Sequence, residues 1–541
     1  MQLYPSAHVD TFCRDNLPPF DQWPEFLFEL PDVQYPERLN CAVELLDAVA
    51  ERVGADRPCL LSPAGERWTY GDLRRLSNQV ARVLVEDHGI VPGNRVLLRG
   101  PNNPWLVACW FGALKAGAVV VTTMPLLRPR ELVAVAEIAR VDFALCDTRF
   151  AEDLAGAAIP GLRVVTYGGD GDELNTAAAG KPADFRPVDT ASDDVALLAF
   201  TSGSTGRPKA TMHFHRDVLA NADTFSKHVL KPTADDVFTG TPPLAFTFGL
   251  GGLVVFPLRV GAATLLIEKA TPVELADLIA QHGVTVCFTA PTGYRAMLAA
   301  GKAGQLVSLR QAVSAGEHLP ESTWHAFHDA TGLKLIDGIG STEMLHIFIG
   351  SAGEDIRPGS TGRVVPGYVA RVIDGDGEPL PAGETGRLAV KGPTGCRYLN
   401  DPRQQVYVQD GWNLTGDTFV QDEDGYFWYQ ARNDDMIISS GYNIAGPEVE
   451  EALLEHDDVI ECAVVGVPDE ARGQLVTGFV VLREGVAQDA AKARELQEFV
   501  KARIAPYKYP RAVEFVEALP RTSTGKVQRF RLRDQAPAAS P

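Results

Sequence analysis

A short apolar segment that runs directly into a loop rich in glycine and hydroxyl residues constrains the fold of this chain most. Residues 195–200 (VALLAF) are apolar and β-prone, and residues 201–209 (TSGSTGRPK) follow without a break. Glycine permits positive φ, so successive backbone N–H groups of such a loop can point into one concavity and hold anionic oxygens. Loops of this kind follow buried strands in α/β sheets. The sequence therefore predicts an α/β fold with a phosphate-binding loop after one strand.

The composition of loop 201–209 sets it apart from the common P-loop. In nucleoside triphosphatases a Gly-Lys pair directly precedes Ser or Thr, whereas Arg207 and Pro208 separate Gly206 from Lys209 here. By composition alone, a solvated linker is the alternative interpretation. The candidate phosphate-binding residues of the loop are Thr201, Ser202, Gly203, Ser204, Thr205, Gly206 and Lys209.

Length, charge and cysteine usage narrow the class of protein. A chain of 541 residues needs more than one hydrophobic core. The net charge of −20 argues against a nucleic-acid partner, because duplex binding depends on Lys and Arg. Eight scattered cysteines without CxxC spacing indicate reduced thiols. We therefore expect a cytoplasmic protein, with neither a secretion signal nor a membrane-spanning segment.

Strand-like and helix-like segments alternate along most of the chain, as in α/β proteins. Two strand-helix-strand series stand out, at residues 95–98, 103–116 and 118–122, and at residues 262–267, 272–282 and 284–288. After residue 359, turn-punctuated strands at 370–373 and 386–390 predict a small antiparallel unit.

The segment beyond residue 434 has a pattern of its own. It contains two predicted helices, at 447–455 and 490–504, and two predicted strands, at 463–467 and 478–482. Residues 501–533 hold nine basic residues against two acidic ones. A basic cluster that faces a cleft attracts phosphates, although a solvated surface explains the same charges.

Four further motifs follow the loop, each of them weak alone: residues 337–343 (DGIGSTE), 413–417 (NLTGD), 431–435 (ARNDD) and 520–526 (PRTSTGK). Together with loop 201–209, in this order and at these separations, they resemble the adenylate-forming superfamily. That superfamily includes acyl- and aryl-CoA ligases, peptide-synthetase adenylation domains and luciferases. The resemblance extends from about Leu45 to Arg533.

The resemblance implies a two-domain architecture. A large N-terminal domain, residues 1–433, has layered mixed sheets with helices plus a small antiparallel β unit, and it binds the acid and ATP. A small mobile α+β C-terminal domain, residues 434–541, carries a catalytic lysine. This domain swings about a hinge between two half-reactions, with Asp434 at the hinge position.

The resemblance also implies a role for each matched residue. Lys526 bridges the carboxylate and the phosphate during adenylation, Thr342 contacts the AMP phosphate, and Glu343 holds Mg²⁺. Asp417 and Arg432 match the pair that binds ribose. Beyond loop 201–209, the implied nucleotide-binding residues are Gly316, Glu317, Asp337, Gly338, Ile339, Thr342, Asp417 and Arg432, and those for CoA are Ser440, Gly441 and Tyr442. Ile339 stands where many members place an aromatic residue beneath adenine.

By family position, the acyl pocket draws on Phe248, Ala315, Gly316, Gly338, Gly340, Met344 and His346. Small residues beside an aromatic ring suit a planar aryl acid better than a flexible chain. Residues 338–348 resemble benzoate-CoA ligases, and residues 8–40 with 122–127 resemble 2-aminobenzoate-CoA ligases. His346 either contacts the carboxylate or an ortho substituent of the acid, or is a buried structural histidine. His213 and His215 are interpreted as structural.

The sequence thus predicts an ATP-dependent aryl-CoA ligase that uses Mg²⁺ and coenzyme A. Its preferred acid is 2-aminobenzoate, with benzoate or a hydroxybenzoate next. Aryl transfer to the phosphopantetheine of a carrier protein, a non-catalytic nucleotide-binding homologue and a luciferase-like oxygenase are the alternatives. The expected partners are an aromatic acid, ATP and CoA, without nucleic acid or membrane, and the oligomeric state stays open, with a homodimer among the alternatives.

Overall fold

Two largely parallel sheets organise the chain up to Gly350. The computed structural model describes residues 3–169, 172–201, 208–432, 435–439, 442–469, 472–504, 508–522 and 525–535, without the side chains of Ile438, Tyr442, Asn443 and Gly473. The strands of the two sheets are β1 (Pro58–Leu61), β2 (Arg67–Thr69), β3 (Arg95–Arg99), β4 (Val119–Thr123), β5 (Phe143–Asp147), β6 (Arg163–Tyr167), β7 (Val195–Thr201), β8 (Lys209–Phe214), β9 (Val237–Gly240), β10 (Ala263–Leu265), β11 (Val286–Thr289), β12 (Gln311–Ala315), β13 (Leu335–Gly340) and β14 (Ile347–Gly350).

Both sheets are parallel in their interior, and three of their four edge strands are antiparallel to the neighbouring strand. The six-stranded sheet has the order β6-β5-β3-β4-β7-β8, with β8 antiparallel to β7. The eight-stranded sheet has the order β14-β13-β12-β11-β9-β10-β1-β2, with β14 and β2 antiparallel to their neighbours. Strands β3, β4 and β5 are buried at every position, as expected for parallel strands covered on both faces.

Helices cover both sheets and enclose the main core. In chain order they are α1 (Phe12–Asp15), α2 (Ala48–Val53), α3 (Tyr70–Arg82), α4 (Pro104–Lys115), α5 (Pro129–Ala139), α6 (Ala151–Gly156), α7 (Glu173–Ala179), α8 (His215–Asn221), α9 (Thr247–Leu250), α10 (Phe256–Val260), α11 (Pro272–His282), α12 (Pro291–Ala299) and α13 (Glu321–Thr331). A π-helical turn at Gly251–Val255 joins α9 to α10. Helix starts follow the expected chemistry, because Asn103 caps α4 and Thr271 forms a capping box in α11.

A small antiparallel sheet follows, as predicted. It consists of β15 (Val369–Ile373), β16 (Thr385–Lys391), β17 (Val408–Gln409), β18 (Trp412–Gln421) and β19 (Phe427–Arg432), with α14 (Gln404–Tyr407) before β17. Strand β18 lies between β16 on one side and β17 and β19 on the other.

The C-terminal part is a compact α+β domain with its own core. Its elements are β20 (Ile437–Ser439), β21 (Tyr442–Ile444), α15 (Gly446–Leu454), β22 (Val459–Asp469), β23 (Gly473–Leu482), α16 (Ala490–Lys501), β24 (Ala512–Phe515) and α17 (Arg529–Gln535). Strand β23 pairs with β22 along its whole length and with β24 in parallel. The predicted α/β class, with a large N-terminal domain and a small C-terminal one, is confirmed.

The first 45 residues tie distant parts of the N-terminal domain together, which the sequence did not predict. The Ala7 N–H donates to Asp194 Oδ2 at 2.9 Å, and Asp10 forms an ion pair with Arg95 on β3. Phe26 forms a bridge to Gly392, just beyond β16. In the described part of the chain, no helix is both long and apolar enough to cross a bilayer.

Candidate active site

The turn between β13 and β14 carries two of the predicted catalytic residues, Thr342 and Glu343. Leu345, in the same turn, adopts φ of 72° although it is not a glycine. Such a left-handed residue is strained and persists only where its surroundings hold it. Here the Leu345 N–H donates to the Thr342 carbonyl at 3.2 Å, and the Leu345 side chain is buried. The backbone between Glu343 and His346 is therefore fixed by packing.

Glu343 belongs to a buried three-residue cluster with Lys209 and Tyr398. Lys209 Nζ lies 3.4 Å from Glu343 Oε1 and donates to Tyr398 Oη at 2.6 Å. The Tyr398 hydroxyl donates in turn to Glu343 Oε1 at 2.5 Å. Burial, and then the Glu343 carboxylate, raise the pKa of Tyr398 far above its ordinary value, so the hydroxyl keeps its proton. The cluster balances the Lys209 and Glu343 charges and places a carboxylate at the cleft.

His213 fixes the backbone of Thr342 through a hydrogen bond. The His213 Nε2–H donates to the Thr342 carbonyl at 2.8 Å, which fixes the tautomer because a carbonyl only accepts. His213 is fully buried on β8, next to Asp217, whose carboxylate pairs with Arg397. His213 thus acts on backbone position, in keeping with the structural role predicted for it.

His215 lies apart from the cleft. Its Nδ1 accepts the Cys41 N–H at 3.1 Å in a fully buried position, and burial lowers the pKa of His215 to about 3. The ring is therefore neutral at physiological pH, as a structural histidine would be.

The two residues that match a ribose-binding pair face each other across two strands. Asp417 on β18 is the register partner of Arg432 on β19. Arg432 Nη1 donates to Asp417 Oδ1 at 3.0 Å, with Asp417 largely buried and Arg432 half exposed. The hydrogen bond fixes the orientation of the Asp417 carboxylate and leaves part of the Arg432 guanidinium accessible to an anion.

Lys526 reaches the same cleft from the C-terminal domain. A tight turn presents it: the Thr522 N–H donates to the Lys526 carbonyl at 2.7 Å, and the Lys526 N–H donates to Thr522 Oγ1 at 3.1 Å. Gly525 in this turn has φ of 88°, which favours glycine. The Lys526 side chain is exposed to solvent, and the Arg521–Glu317 contact described below holds its turn against the N-terminal domain.

Charges from the other candidate residues act directly on Lys526. The pKa of Lys526 is lowered by partial desolvation and then by Arg432, while Asp417, Glu317 and Glu343 oppose this shift. Charges of four predicted residues, from four separate segments, therefore influence one ammonium group. In addition, Arg521 Nη1 in the Lys526 turn donates to Glu317 Oε1 at 3.3 Å, across the two domains.

Other residues predicted to bind the nucleotide lie within β13 or directly after β12. Gly316 has φ of 91°, and a side chain there would meet open space. Burial raises the pKa of Asp337 well above its ordinary value, with the Gly338 backbone opposing the shift. Asp337 Oδ1 has no hydrogen-bond partner among the described residues. Ile339 is half-buried on the same strand.

The predicted acyl pocket centres on His346, which lies within an aromatic cluster. Its ring centroid is 4.5 Å from that of Phe256 and 5.5 Å from that of Phe248, and the rings of Phe225 and Phe288 complete the cluster. Burial lowers the pKa of His346 to about 3, an effect that the nearby Phe248 backbone offsets only in part. Neither ring nitrogen makes a hydrogen bond of ordinary geometry to a described residue. His346 is thus a neutral ring whose nitrogens can form hydrogen bonds with a ligand.

Glycine is required at positions 338 and 340 of this pocket for a reason other than space for the acid. A Cβ at Gly338 would lie 2.7 Å from Ile347 Cδ1, and one at Gly340 would lie 2.6 Å from the His346 carbonyl oxygen. Both positions therefore need glycine for the pairing of β13 with β14, whatever ligand the pocket takes. Ala315 and Met344 are buried beside them.

Several predicted residues lie outside the described residues. These are Ser202, Gly203, Ser204, Thr205 and Gly206 of the loop, Asp434 at the hinge, Ser440 and Gly441, and the side chain of Tyr442. Thr201 and Lys209, which flank the loop, are paired in the β7–β8 register. Sequence reasoning missed Tyr398, because its contact with Lys209 joins positions 189 residues apart and no local motif points to it.

Two family models and several known proteins match this chain. The family model "AMP-binding enzyme" matches residues 46–397, and "AMP-binding enzyme C-terminal domain" matches residues 448–526. Benzoate–CoA ligase of Thauera aromatica is 36% identical over 520 residues, covering 93% of this chain and 97% of that protein.

Two solved structures show the same likeness in three dimensions. The anthranilate CoA ligase AuaEII in complex with anthranoyl-AMP has a TM-score of 0.88 at 33% identity, covering 93% of this chain and 98% of that one. A benzoate CoA ligase from Burkholderia xenovorans LB400 has a TM-score of 0.84 at 32% identity, covering 92% of this chain and 100% of that one. With a family model across more than half of its length and relatives that match it almost end to end, the chain belongs to the family of AMP-binding enzymes.

Proposed function

We propose that this protein is an ATP-dependent aryl-CoA ligase. In the first half-reaction, an oxygen of the aryl carboxylate attacks the α-phosphorus of ATP, the bond to the β-phosphate oxygen breaks, and pyrophosphate leaves. In the second, the thiol sulfur of CoA attacks the acyl carbon of the aryl-AMP, AMP leaves, and the thiol proton passes to solvent. The contact of Arg521 with Glu317, which holds the Lys526 turn against the N-terminal domain that carries the Asp417–Arg432 pair, supports this proposal most strongly.

Adenylation gathers negative charge at the α-phosphate, so preorganised cations and donors are expected to supply most of the catalysis. In our proposal, Lys526 bridges the carboxylate and the phosphate, and Asp417 with Arg432 orients the ribose. Glu343 fits a divalent cation, because it offers a hard carboxylate oxygen that Lys209 and Tyr398 hold in place. Mg²⁺ bound there would neutralise phosphate charge. Loop 201–209 would bind the outgoing pyrophosphate.

The second half-reaction needs a thiol at the carbonyl that Lys526 occupies during the first. We therefore propose that the C-terminal domain, from residue 434 onward, rotates between the half-reactions about Asp434. After rotation, Ser440, Gly441 and Tyr442 would line the path of the pantetheine arm of CoA. A short junction suits such a rigid-body motion.

The acid is proposed to be 2-aminobenzoate, with benzoate as the next choice. A neutral His346 inside an aromatic cluster offers a ring nitrogen as acceptor for the ortho amino group, while Phe225, Phe248 and Phe256 suit a planar ring. The relatives named for anthranilate and benzoate support the same class of acid.

Pyrophosphate release and CoA-thioester formation by the purified protein test the proposal. The acids are 2-aminobenzoate, benzoate, 3-hydroxybenzoate and octanoate, each with ATP, Mg²⁺ and CoA. We expect the aryl acids to have the higher kcat/KM, with 2-aminobenzoate first. An equal preference for octanoate would contradict the aryl pocket.

The acceptor is tested by replacing CoA with a carrier protein that bears phosphopantetheine. Faster transfer to the carrier would contradict free CoA as the acceptor. We also propose a cytoplasmic location, since all eight cysteines are buried free thiols.

A further inference from the structure

Helix α13 of the N-terminal domain begins without a cap of its own. Its N-cap residue is Pro320, and no side chain of the adjoining segment caps its first turn. The first N–H groups of a helix lack partners within the helix and carry partial positive charge. A carboxylate is therefore the natural partner for this end of α13.

The C-terminal domain supplies that carboxylate. The Glu321 N–H at the start of α13 donates to Glu451 Oε1 at 2.8 Å, and Glu451 belongs to α15. Residues 321 and 451 are 130 positions apart, so this is a contact between domains. A second contact lies close by, since Arg521 reaches Glu317, four residues before Glu321.

Both contacts accompany the pose in which Lys526 faces the cleft. Arg521 lies in the same turn as Lys526, and Arg521 and Val527 form the bridge that closes that turn. A rotation that withdraws Lys526 therefore also withdraws Arg521, and with it the C-terminal side of this interface. Glu451 would then leave the end of α13 exposed to water.

We propose that Glu451 is a positioning residue that caps α13 in trans and holds the C-terminal domain in the adenylation pose. This inference rests on the proposed function, because it assumes that the two half-reactions use different poses. The cap favours the pose for the first half-reaction and plays no part in the second.

Opposing effects act on the contact between Glu451 and α13. Burial raises the pKa of Glu451, and the nearby carboxylates of Glu321 and Glu455 act in the same direction, while the Glu321 and Ser322 N–H groups oppose the shift. The stabilisation that the Glu451 carboxylate gains at the N-terminus of α13 is thus partly offset by its desolvation and by repulsion from like charges. A modest net preference suits a contact that must form and break in every catalytic cycle.

The kinetic test separates the two half-reactions in Glu451→Ala and Glu451→Gln. Adenylation is followed by pyrophosphate release from ATP and 2-aminobenzoate, and transfer by thioester formation from supplied 2-aminobenzoyl-AMP and CoA. Loss of one charged cap is expected to slow adenylation of Glu451→Ala about three- to tenfold. Transfer should be unchanged or faster. Glu451→Gln should fall between, since its amide oxygen still accepts the N–H without a charge.

The matched control is Glu455→Ala, which removes a carboxylate one helical turn away. Glu455 pairs with Arg503 of its own domain at 2.6 Å and repels the Glu451 carboxylate, so its removal should leave adenylation at or slightly above the level of the unsubstituted protein and never below it. An equal fall in both half-reactions of Glu451→Ala would overturn the proposal, as would unchanged adenylation.

A distance measurement tests the cap even if no aryl acid is turned over. Spin labels on cysteines placed at the exposed positions Val307 and Glu484 report the separation of the two domains, and the native cysteines are buried. Glu451→Ala should move population away from the main distance of the parent protein. An unaltered distribution would overturn the cap, whereas absence of pyrophosphate release in the parent protein would overturn only the proposed function.

Discussion

Tyr398→Phe is the sharpest test of how the Glu343 carboxylate is held. The substitution removes one oxygen and leaves the buried ring, together with the contact of Lys209 Nζ, which lies 4.5 Å from the ring centroid. Two hydrogen bonds to charged groups are lost, one to Glu343 and one from Lys209. No cavity of methyl size is created, so any effect comes from these polar contacts.

The magnitude follows from the charges and their burial. A hydrogen bond to a charged group contributes about 1.5–3 kcal/mol. The Lys209 and Glu343 side chains are only 17% and 8% exposed, and they can close the 3.4 Å between them once the hydroxyl is gone. The two losses are therefore partly recovered, and we expect a net cost of about 2 kcal/mol, which corresponds to a roughly 30-fold lower kcat for adenylation at a fixed, subsaturating Mg²⁺ concentration.

The assay is a Mg²⁺ titration of pyrophosphate release at saturating ATP and aryl acid. Because a misplaced Glu343 should bind the cation less well, the Mg²⁺ midpoint should rise as kcat falls, while transfer from supplied aryl-AMP is retained. Tyr407→Phe is the control: its ring lies 5.8 Å from that of Tyr398, but its hydroxyl contacts Ser341. An unaltered Mg²⁺ midpoint in Tyr398→Phe would refute the reasoning.

Three further predictions concern other parts of the site. Lys526→Ala should cripple adenylation and leave transfer from supplied aryl-AMP largely intact; equal losses in separate half-reaction assays would contradict its assigned role. Gly251→Ala would place a Cβ 2.3 Å from His346 Cδ2, so we expect a higher KM for the aryl acid and about 1–3 kcal/mol less stability in urea unfolding, with Gly375→Ala, whose Cβ meets nothing within 4 Å, as the control. Acid should destabilise the fold through His215 and His346, both with pKa lowered to about 3 by burial. Between about pH 6.5 and 3 the unfolded state binds more protons than the folded state. The free energy of unfolding therefore decreases as the pH is lowered, by at most about 1.4 kcal/mol per pH unit for each histidine. Urea unfolding of His346→Phe between pH 7 and 5 should show a shallower loss than the parent protein, and an equal slope would contradict this.

Elements with a strong local pattern were predicted almost to the residue. The strand predicted at 95–98 is Arg95–Arg99, and the helix predicted at 272–282 is Pro272–His282. The sequence of a buried parallel strand is a continuous apolar run, which is easily recognised. The start of α11 is marked in the sequence by a capping box and a proline. The weaker strand predicted at 262–267 shrinks to Ala263–Leu265, although the Leu266 N–H still donates to the Leu61 carbonyl of β1 at 2.9 Å.

Motifs predicted which chemical groups meet, but not what holds them. Asp417 and Arg432 were paired by family position, and the β18–β19 register supplies the physical reason. Tyr398 was missed, although it touches two predicted residues. Nothing within its own segment distinguishes it from a packing tyrosine, since the partners come from β8 and from the turn after β13.

The glycines of the acyl pocket show where pattern reasoning is incomplete. Gly338 and Gly340 were interpreted as space for a flat ring, yet each is already required where β13 pairs with β14. Small residues at these positions therefore carry little information about the acid. Selectivity must depend more on His346 and its aromatic neighbours, where a ring nitrogen without a described partner can distinguish a donor-bearing ring from a bare one. An ortho amino group satisfies that nitrogen, a bare benzoate leaves it unpaired, and the difference between the two acids measures its contribution.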